Sequence, residues 1–269
     1  MLTEKIFTIG ELAMNYGEGP QNGPPLVLLH GATLWWHDLE PLIPSLMQSW
    51  HVYACDMRGH GKSSRTPGKY RAINFASDIT QFVQAQIQEP VVLIGHSAGG
   101  ICTLIVAAQI PKMVRAIILI DPATIARNTP IQSIRGPGDW VIGIGDVLES
   151  RRNMKDFLLE SNPEIDELGL QITESMIRSL DPDFISTLIK NRFFDDWNLE
   201  QELTRITCPA LMLYGTLELG SIVPESEVEF LKQHIPQITA VRIDGAGHSP
   251  HWEQTQATLG YISDFLKRT

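Results

Sequence analysis

The stretch Pro90-Val91-Val92-Leu93-Ile94-Gly95-His96-Ser97-Ala98-Gly99-Gly100, followed by the apolar run Ile101 to Ile110, constrains this chain more than any other segment. Val91 to Ile94 is short, rich in β-branched residues and apolar throughout, as a central parallel strand covered on both faces requires. Ile101 to Ala108 is long enough for a core helix. Between them stands G-x-S-x-G with Ser97 at its centre. Three fixed residues at about 7% each recur by chance in roughly one chain in ten of this length, so the spacing alone carries little. The strand before it and the helix after it carry the rest. In that setting the serine sits in a strained turn, glycines on both sides let strand and helix approach, and the hydroxyl is held near the positive end of the helix.

The chain has 269 residues, enough to bury a full core; its hydrophobic content of 43% and charged content of 19% are those of an ordinary globular protein. A net charge of -10 disfavours nucleic acid and anionic membrane as partners, since either needs a basic face. Cys55, Cys102 and Cys208 are odd in number, far apart and in apolar contexts, which reads as buried reduced thiols rather than a disulfide framework or a metal site. Met1-Leu2-Thr3-Glu4-Lys5 lacks a basic region followed by an apolar one, and no apolar run reaches membrane-spanning length. A cytoplasmic location follows as the expectation.

In chain order, Lys5 to Ile9 and Leu12 to Tyr16 alternate around Gly10-Glu11, as in an antiparallel hairpin at a sheet edge. After a glycine- and proline-rich breaker, Leu26 to Leu29 reads as a buried strand ending in His30-Gly31-Ala32-Thr33. A helix is expected from about His37 to Gln48, then a strand His51 to Cys55 leading into Asp56-Met57-Arg58-Gly59-His60-Gly61-Lys62-Ser63-Ser64. Phe75 to Ile87 has helical spacing and leads to the central strand. Val114 to Ile120 is a further buried strand, closed by Asp121-Pro122. Strands alternating with helices predict an α/β fold, a mostly parallel, doubly wound sheet of about eight strands. From about 123 to 202 no buried strand is read, only helix-like segments. The predicted organisation is therefore a core of 1–122 and 203–269 with a helical cap, 123–202. Cys208 to Tyr214 and Ala240 to Ile243 resume the strands, with Val228 to Leu231 in the helix between them and a last helix near Thr255 to Lys267.

Acyl transfer by a serine needs a base for its proton, an acid to hold that base, and donors for the developing oxyanion. His248 lies in Asp244-Gly245-Ala246-Gly247-His248-Ser249-Pro250-His251 after the last strand and is the expected base; His251 is its neighbour, a pocket or packing residue. For the acid, Leu213-Tyr214-Gly215-Thr216-Leu217-Glu218 puts Glu218 just past a strand's carboxyl end, and Glu218 is the first choice. Asp121, at the end of the preceding strand, is the rival. The backbone N–H groups of Ala98 and Ala32 are the expected oxyanion donors. Trp35 and Trp36 near the first loop, and Trp140, Phe193, Phe194 and Trp197 in the cap, are candidate linings of an apolar pocket; Trp35, Trp36 and Trp140 lead as substrate-binding residues. Arg151-Arg152 and Asp195-Asp196 read as solvated charge pairs. No cofactor motif and no histidine pair at metal-binding spacing is present, so neither cofactor nor metal is expected.

His30-Gly31-Ala32, Asp56 to Ser63, Gly95-His96-Ser97-Ala98-Gly99-Gly100 and Gly247-His248 together resemble, in order and spacing, the capped, esterase- and lipase-like branch of the α/β-hydrolase fold family. The likeness covers nearly the whole chain. It implies a catalytic triad of Ser97, Glu218 and His248, an oxyanion hole at Ala32 and Ala98, and a bracing, structural turn at Asp56 to Ser63. One departure is visible. Members of the family usually carry an aspartate three residues after the strand-ending glycine, with a proline close behind; here that position is Glu218 and Leu219-Gly220-Ser221-Ile222-Val223 delays Pro224. A serine at 97, where dehalogenases and epoxide hydrolases of this fold carry aspartate, argues against those chemistries.

The expected function is hydrolysis of a carboxylic ester with a small to medium hydrophobic acyl or alcohol part, through an acyl-enzyme. A small-molecule substrate, no nucleic acid or membrane partner, and a monomer or homodimer are expected. Lactone or amide hydrolysis, carbon–carbon cleavage and cofactor-free peroxyacid formation use the same machinery. A small-molecule receptor that keeps the pocket and hydrolyses slowly or not at all is the alternative from another class.

Overall fold

A computed structural model describes residues 1–195 and 197–269. The alternating apolar stretches form one eight-stranded sheet: β1 (Thr3–Ile9), β2 (Leu12–Glu18), β3 (Pro25–Leu29), β4 (His51–Cys55), β5 (Val91–His96), β6 (Val114–Ile120), β7 (Ala210–Tyr214) and β8 (Ile238–Arg242). Their order across the sheet is β1-β2-β4-β3-β5-β6-β7-β8. The hairpin β1–β2 and the pair β2–β4 are antiparallel, and every pair from β4 to β8 is parallel. The reversal of strand order around β3 and β5 opens a crevice at their carboxyl ends, where open α/β sheets bind ligands.

Helices cover both faces because the inner strands are apolar on both sides. Val27, Leu29, Leu93, Ile117 and Leu119 pack on one face with the helices α2 (Ala72–Phe82) and α3 (Ala98–Gln109). Leu26, Leu28, Val92, Ile94, Ile118 and Ile120 pack on the other, with α1 (Ile43–Leu46) and the last helix, Thr255–Leu266. Each such side chain contributes about 1.5–3 kcal/mol by leaving water, so truncating one in mid-sheet is expected to cost about 2–5 kcal/mol.

The helix expected from His37 to Gln48 is instead a 3₁₀ segment, Trp36–Leu42, followed by the single turn α1. Pro41 lies inside the first and Pro44 opens the second; each proline lacks an N–H and so cannot donate to the helical ladder. Among the described residues between β6 and β7 lie only helical elements and turns: α4 (Pro137–Leu148), α5 (Met154–Ser161), α6 (Glu167–Ser179), α7 (Pro182–Ile189) and α8 (Leu199–Leu203), besides short 3₁₀ turns. The remaining helices are α9 (Glu225–His234), α10 (Pro250–Glu253) and α11 (Thr255–Leu266). Arg151 pairs with Asp146 and Glu149, Arg152 with Glu160, and Asp195 with Arg192, all at the surface; Asp196 lies outside the described residues. All three cysteines are buried and free. Among the described residues no helix is long and apolar enough to cross a membrane.

Candidate active site

Ser97 sits between β5 and α3 with φ 51° and ψ -114°, a conformation few non-glycine residues adopt. The turn is over-determined by its neighbours. Ser97 N–H donates to Ile120 O at 2.9 Å, while Ser97 O accepts from Gly100 N at 3.0 Å and Ala123 N at 3.2 Å. A Cβ at Gly95 would stand 2.3 Å from Gly99 O, and one at Gly99 would stand 2.2 Å from Leu29 O. Backbone cannot yield to that extent, so both positions require glycine.

Ser97 and His248 line one cavity, of about 250 Å³, at the carboxyl ends of the strands. His248, in the loop between β8 and α10, faces a carboxylate: Nδ1 lies 2.7 Å from Asp121 Oδ2. Asp121 is fully buried and has φ 40°. Its other donors are Gly215 N at 3.1 Å and Ser221 Oγ at 2.6 Å to Oδ1, and Ile222 N at 3.0 Å to Oδ2. Glu218, the first choice for this position, is instead exposed in the 3₁₀ turn Leu217–Leu219. The physical reason is the longer loop after β7. It carries Glu218 outward, then folds back so that Ser221 and Ile222 solvate a carboxylate arising from β6.

Ala32 and Ala98 both line this cavity, and among the described residues neither N–H has a hydrogen-bond acceptor. The loop carrying Ala32 is tied down beyond it. Thr33, at φ 66°, gives its N–H to His60 Nε2 at 3.2 Å and receives Trp140 Nε1–H on its hydroxyl at 3.0 Å. The second bond joins α4 of the helical insertion to the loop after β3. Asp56 to Ser63 forms a hydrogen-bonded turn: Asp56 accepts from Asn15, Trp36 N and Lys62 N, and Arg58 holds Asp78 through two bonds of 2.7 and 2.5 Å.

Apart from Thr33, His96, Asn191 and Ser249, the rest of the cavity wall is apolar: Ala126, Ile131, Ile134, Trp140, Leu188 and Ile222, with Phe193 and Phe194 at its side. No Lys, Arg, Asp or Glu belongs to that wall among the described residues. Of the aromatic residues expected there, Trp140, Phe193 and Phe194 are present. Trp35, Trp36 and Trp197 are not. Trp36 stacks on His37 with ring centroids 3.6 Å apart, and Trp35 borders a separate outer groove with Trp252 and Ile172. The 3₁₀ segment turns both indoles away from the serine. His251 is buried behind the site rather than in the cavity.

Sequence reasoning missed the aliphatic wall, since Ile131, Ile134 and Leu188 look like ordinary helix-packing residues. It also missed Asp38, whose buried carboxylate lies 2.8 Å from His96 Nδ1. An aspartate among aromatic residues in a proline-interrupted turn carries no pattern that marks it.

A family profile described as alpha/beta hydrolase fold matches residues 24–149. Among curated proteins, the chain is 24% identical over 266 residues to 2-(acetamidomethylene)succinate hydrolase of Mesorhizobium japonicum, covering 96% of this chain and 93% of the other. It is 27% identical over 248 residues to pimeloyl-[acyl-carrier protein] methyl ester esterase of Neisseria meningitidis, covering 89% and 92%. Among solved structures, the enol-lactonase from Burkholderia xenovorans superposes with a TM-score of 0.75 at 20% identity, covering 98% of this chain and 100% of that one. The sheet order, the strained serine turn after β5 and these likenesses agree, and the chain has the α/β-hydrolase fold.

Proposed function

We propose that the protein is a serine hydrolase acting on an uncharged carboxylic ester with an apolar acyl or alcohol part, through a triad of Ser97, His248 and Asp121. The observation that carries this is the His248–Asp121 bond of 2.7 Å at the edge of the cavity that Ser97 enters. A histidine whose Nδ1–H is fixed on a buried carboxylate presents Nε2 as a proton acceptor, the tautomer that a serine nucleophile needs.

In this reading Ser97 Oγ attacks the ester carbonyl while His248 Nε2 takes its proton, and the oxyanion forms against the free amides of Ala32 and Ala98. His248 then returns the proton to the leaving alcohol, which departs. Water enters, gives a proton to the same nitrogen and attacks the acyl-serine, and the acid is released with Ser97 restored. Asp121 holds the imidazolium that exists at both crossings. The helical segment 123–202 acts as a cap whose Ile131, Ile134, Trp140 and Leu188 hold the apolar part of the substrate.

An ester esterase and an enol-lactonase among the relatives support hydrolysis at an ester-type carbonyl. A wall without lysine or arginine among the described residues favours neutral substrates over dicarboxylates, because a buried carboxylate without a partner costs several kcal/mol. The test is turnover of p-nitrophenyl butyrate and labelling by a fluorophosphonate. Both should depend on Ser97 and vanish in Ser97→Ala; an unlabelled wild-type serine, or turnover that survives the substitution, refutes the reading.

A further inference from the structure

The three segments that meet at the site also meet behind it, at one carboxylate. Asp38 Oδ2 accepts from Gly31 N–H, next to Ala32, at 2.8 Å and from His96 Nδ1, next to Ser97, at 2.8 Å. Its Oδ1 accepts from His251 Nε2, three residues after His248, at 3.1 Å. The backbone carbonyl of Asp38 receives Trp252 Nε1–H at 2.7 Å, a second tie to the same loop. Asp38, His96 and His251 have side chains at most 2% exposed.

His96 is the informative member. Its Nδ1 faces the Asp38 carboxylate and its Nε2 faces the backbone carbonyl of His248 at 3.0 Å. Both neighbours are acceptors only, so each ring nitrogen must carry a proton and the ring is an imidazolium. Without Asp38, a neutral ring would turn a lone pair toward one of the two acceptors. The groups facing the ring are Asp38, the rings of His248 and His251 at centroid distances of 4.8 and 4.6 Å, and, farther off, Asp121. Burial alone would push His96 down, but the charge of Asp38 and the bonds to Asp38 and to the His248 carbonyl outweigh it, and the net direction is up. Burial likewise opposes ionisation of Asp38, yet His96 and His251 hold its carboxyl well below the usual range. His251 is lowered, chiefly by burial, and its Nδ1 has no partner among the described residues, which suits a neutral ring donating through Nε2. These three side chains could also be grouped as metal ligands. Their facing atoms are already engaged with one another at hydrogen-bond distance, so the cluster is complete as a proton-sharing unit.

We propose that Asp38 is a positioning residue that acts through a His96 imidazolium, holding the backbone of His248 in register with Ser97 and with the oxyanion amide of Ala32. The inference rests on the reading of Ser97 and His248 as nucleophile and base. Asp38 does not line the cavity, so its removal should leave substrate binding alone while misplacing the reacting groups. In Asp38→Asn, kcat on p-nitrophenyl butyrate should fall about 10- to 100-fold with KM unchanged, as a displacement of the order of 1 Å produces. Nitrogen-15 NMR of the histidine rings at pH 7 should show His96 protonated on both nitrogens in the wild type and on one in the variant. A neutral wild-type His96, or wild-type kcat in a folded Asp38→Asn, overturns the proposal. The wild-type spectrum decides even if the variant does not fold. Fluorophosphonate labelling run alongside separates the two readings: a wild-type Ser97 that refuses the probe sinks both, whereas normal labelling with a neutral His96 sinks this one alone.

Discussion

His248 reaches across the sheet to Asp121, at the end of β6, with Nδ1 and Oδ2 2.7 Å apart, while the glutamate that follows β7 is in solvent. In the proposed triad the acid is therefore Asp121, and the loop after β7 supplies hydrogen-bond donors to it.

Asp121→Asn is therefore expected to lower kcat by about 10⁴-fold, because an amide facing Nδ1 no longer selects the tautomer that leaves Nε2 free as a base. Glu218→Gln should stay within about twofold of wild type, as surface substitutions without partners usually do. Steady-state kinetics of the two variants, with melting curves to show that both are folded, decides the matter. The reverse pattern would return the acid to Glu218.

Ser221 gives Asp121 a bond of 2.6 Å and is itself buried. Ser221→Ala removes one charge-assisted donor and leaves the amides of Gly215 and Ile222 and the imidazole in place. Its expected cost is about 1.5–3 kcal/mol of stability, measurable by urea unfolding. No change in the unfolding midpoint would mean that the folded-back loop contributes nothing to holding the acid.

A cavity wall with no lysine or arginine among the described residues, and with His96 already paired with Asp38, makes a selective prediction about substrates. p-Nitrophenyl butyrate and its hemisuccinate analogue differ in the acyl chain mainly by a terminal carboxylate. An unpaired buried charge costs several kcal/mol, so kcat/KM for the hemisuccinate should be lower by about 10²-fold or more. Comparable values for the two esters would mean that the substrate carboxylate finds a cationic partner at the wall, where His96 is otherwise paired with Asp38.

Stability should fall on acidification. His60 is pushed down to about 3, by burial first and by the neighbouring His30 next. His30 and His251 are also lowered, each chiefly by burial. In the unfolded chain such rings take up a proton near pH 6.5. Below that pH the unfolded state binds more protons than the native state, and stability declines as pH drops from about 6.5 toward 3, with a slope of about 1.4 kcal/mol per pH unit for each such histidine. His96, with its pKa raised, has the opposite sign: its contribution is complete below about pH 6.5 and is lost as pH rises through its folded value. Urea unfolding at pH 7 and pH 5 measures the acid side; equal stability at the two would contradict the burial of these rings as neutral groups.

Local pattern determined a good deal of this protein. The doubly apolar runs Val91 to Ile94 and Val114 to Ile120 could be stable only inside a covered parallel sheet. The glycines around Ser97 could serve only a turn too tight for a Cβ, and the absence of strand patterning from 123 to 202 marked the helical insertion. These are properties of consecutive residues, and spacing records them. Tertiary structure decided whatever depends on where loops from different strands come together. Asp121 took the place expected of Glu218 because the chain after β7 folded back over it. Trp35 and Trp36 turned away because prolines replaced an expected helix with a 3₁₀ segment. Asp38 meets His96 and His251 across 58 and 213 positions of chain. Hydrogen bonds between segments so far apart leave no periodicity in the sequence, since each needs only one suitable atom at one place and the packed sheet supplies the place.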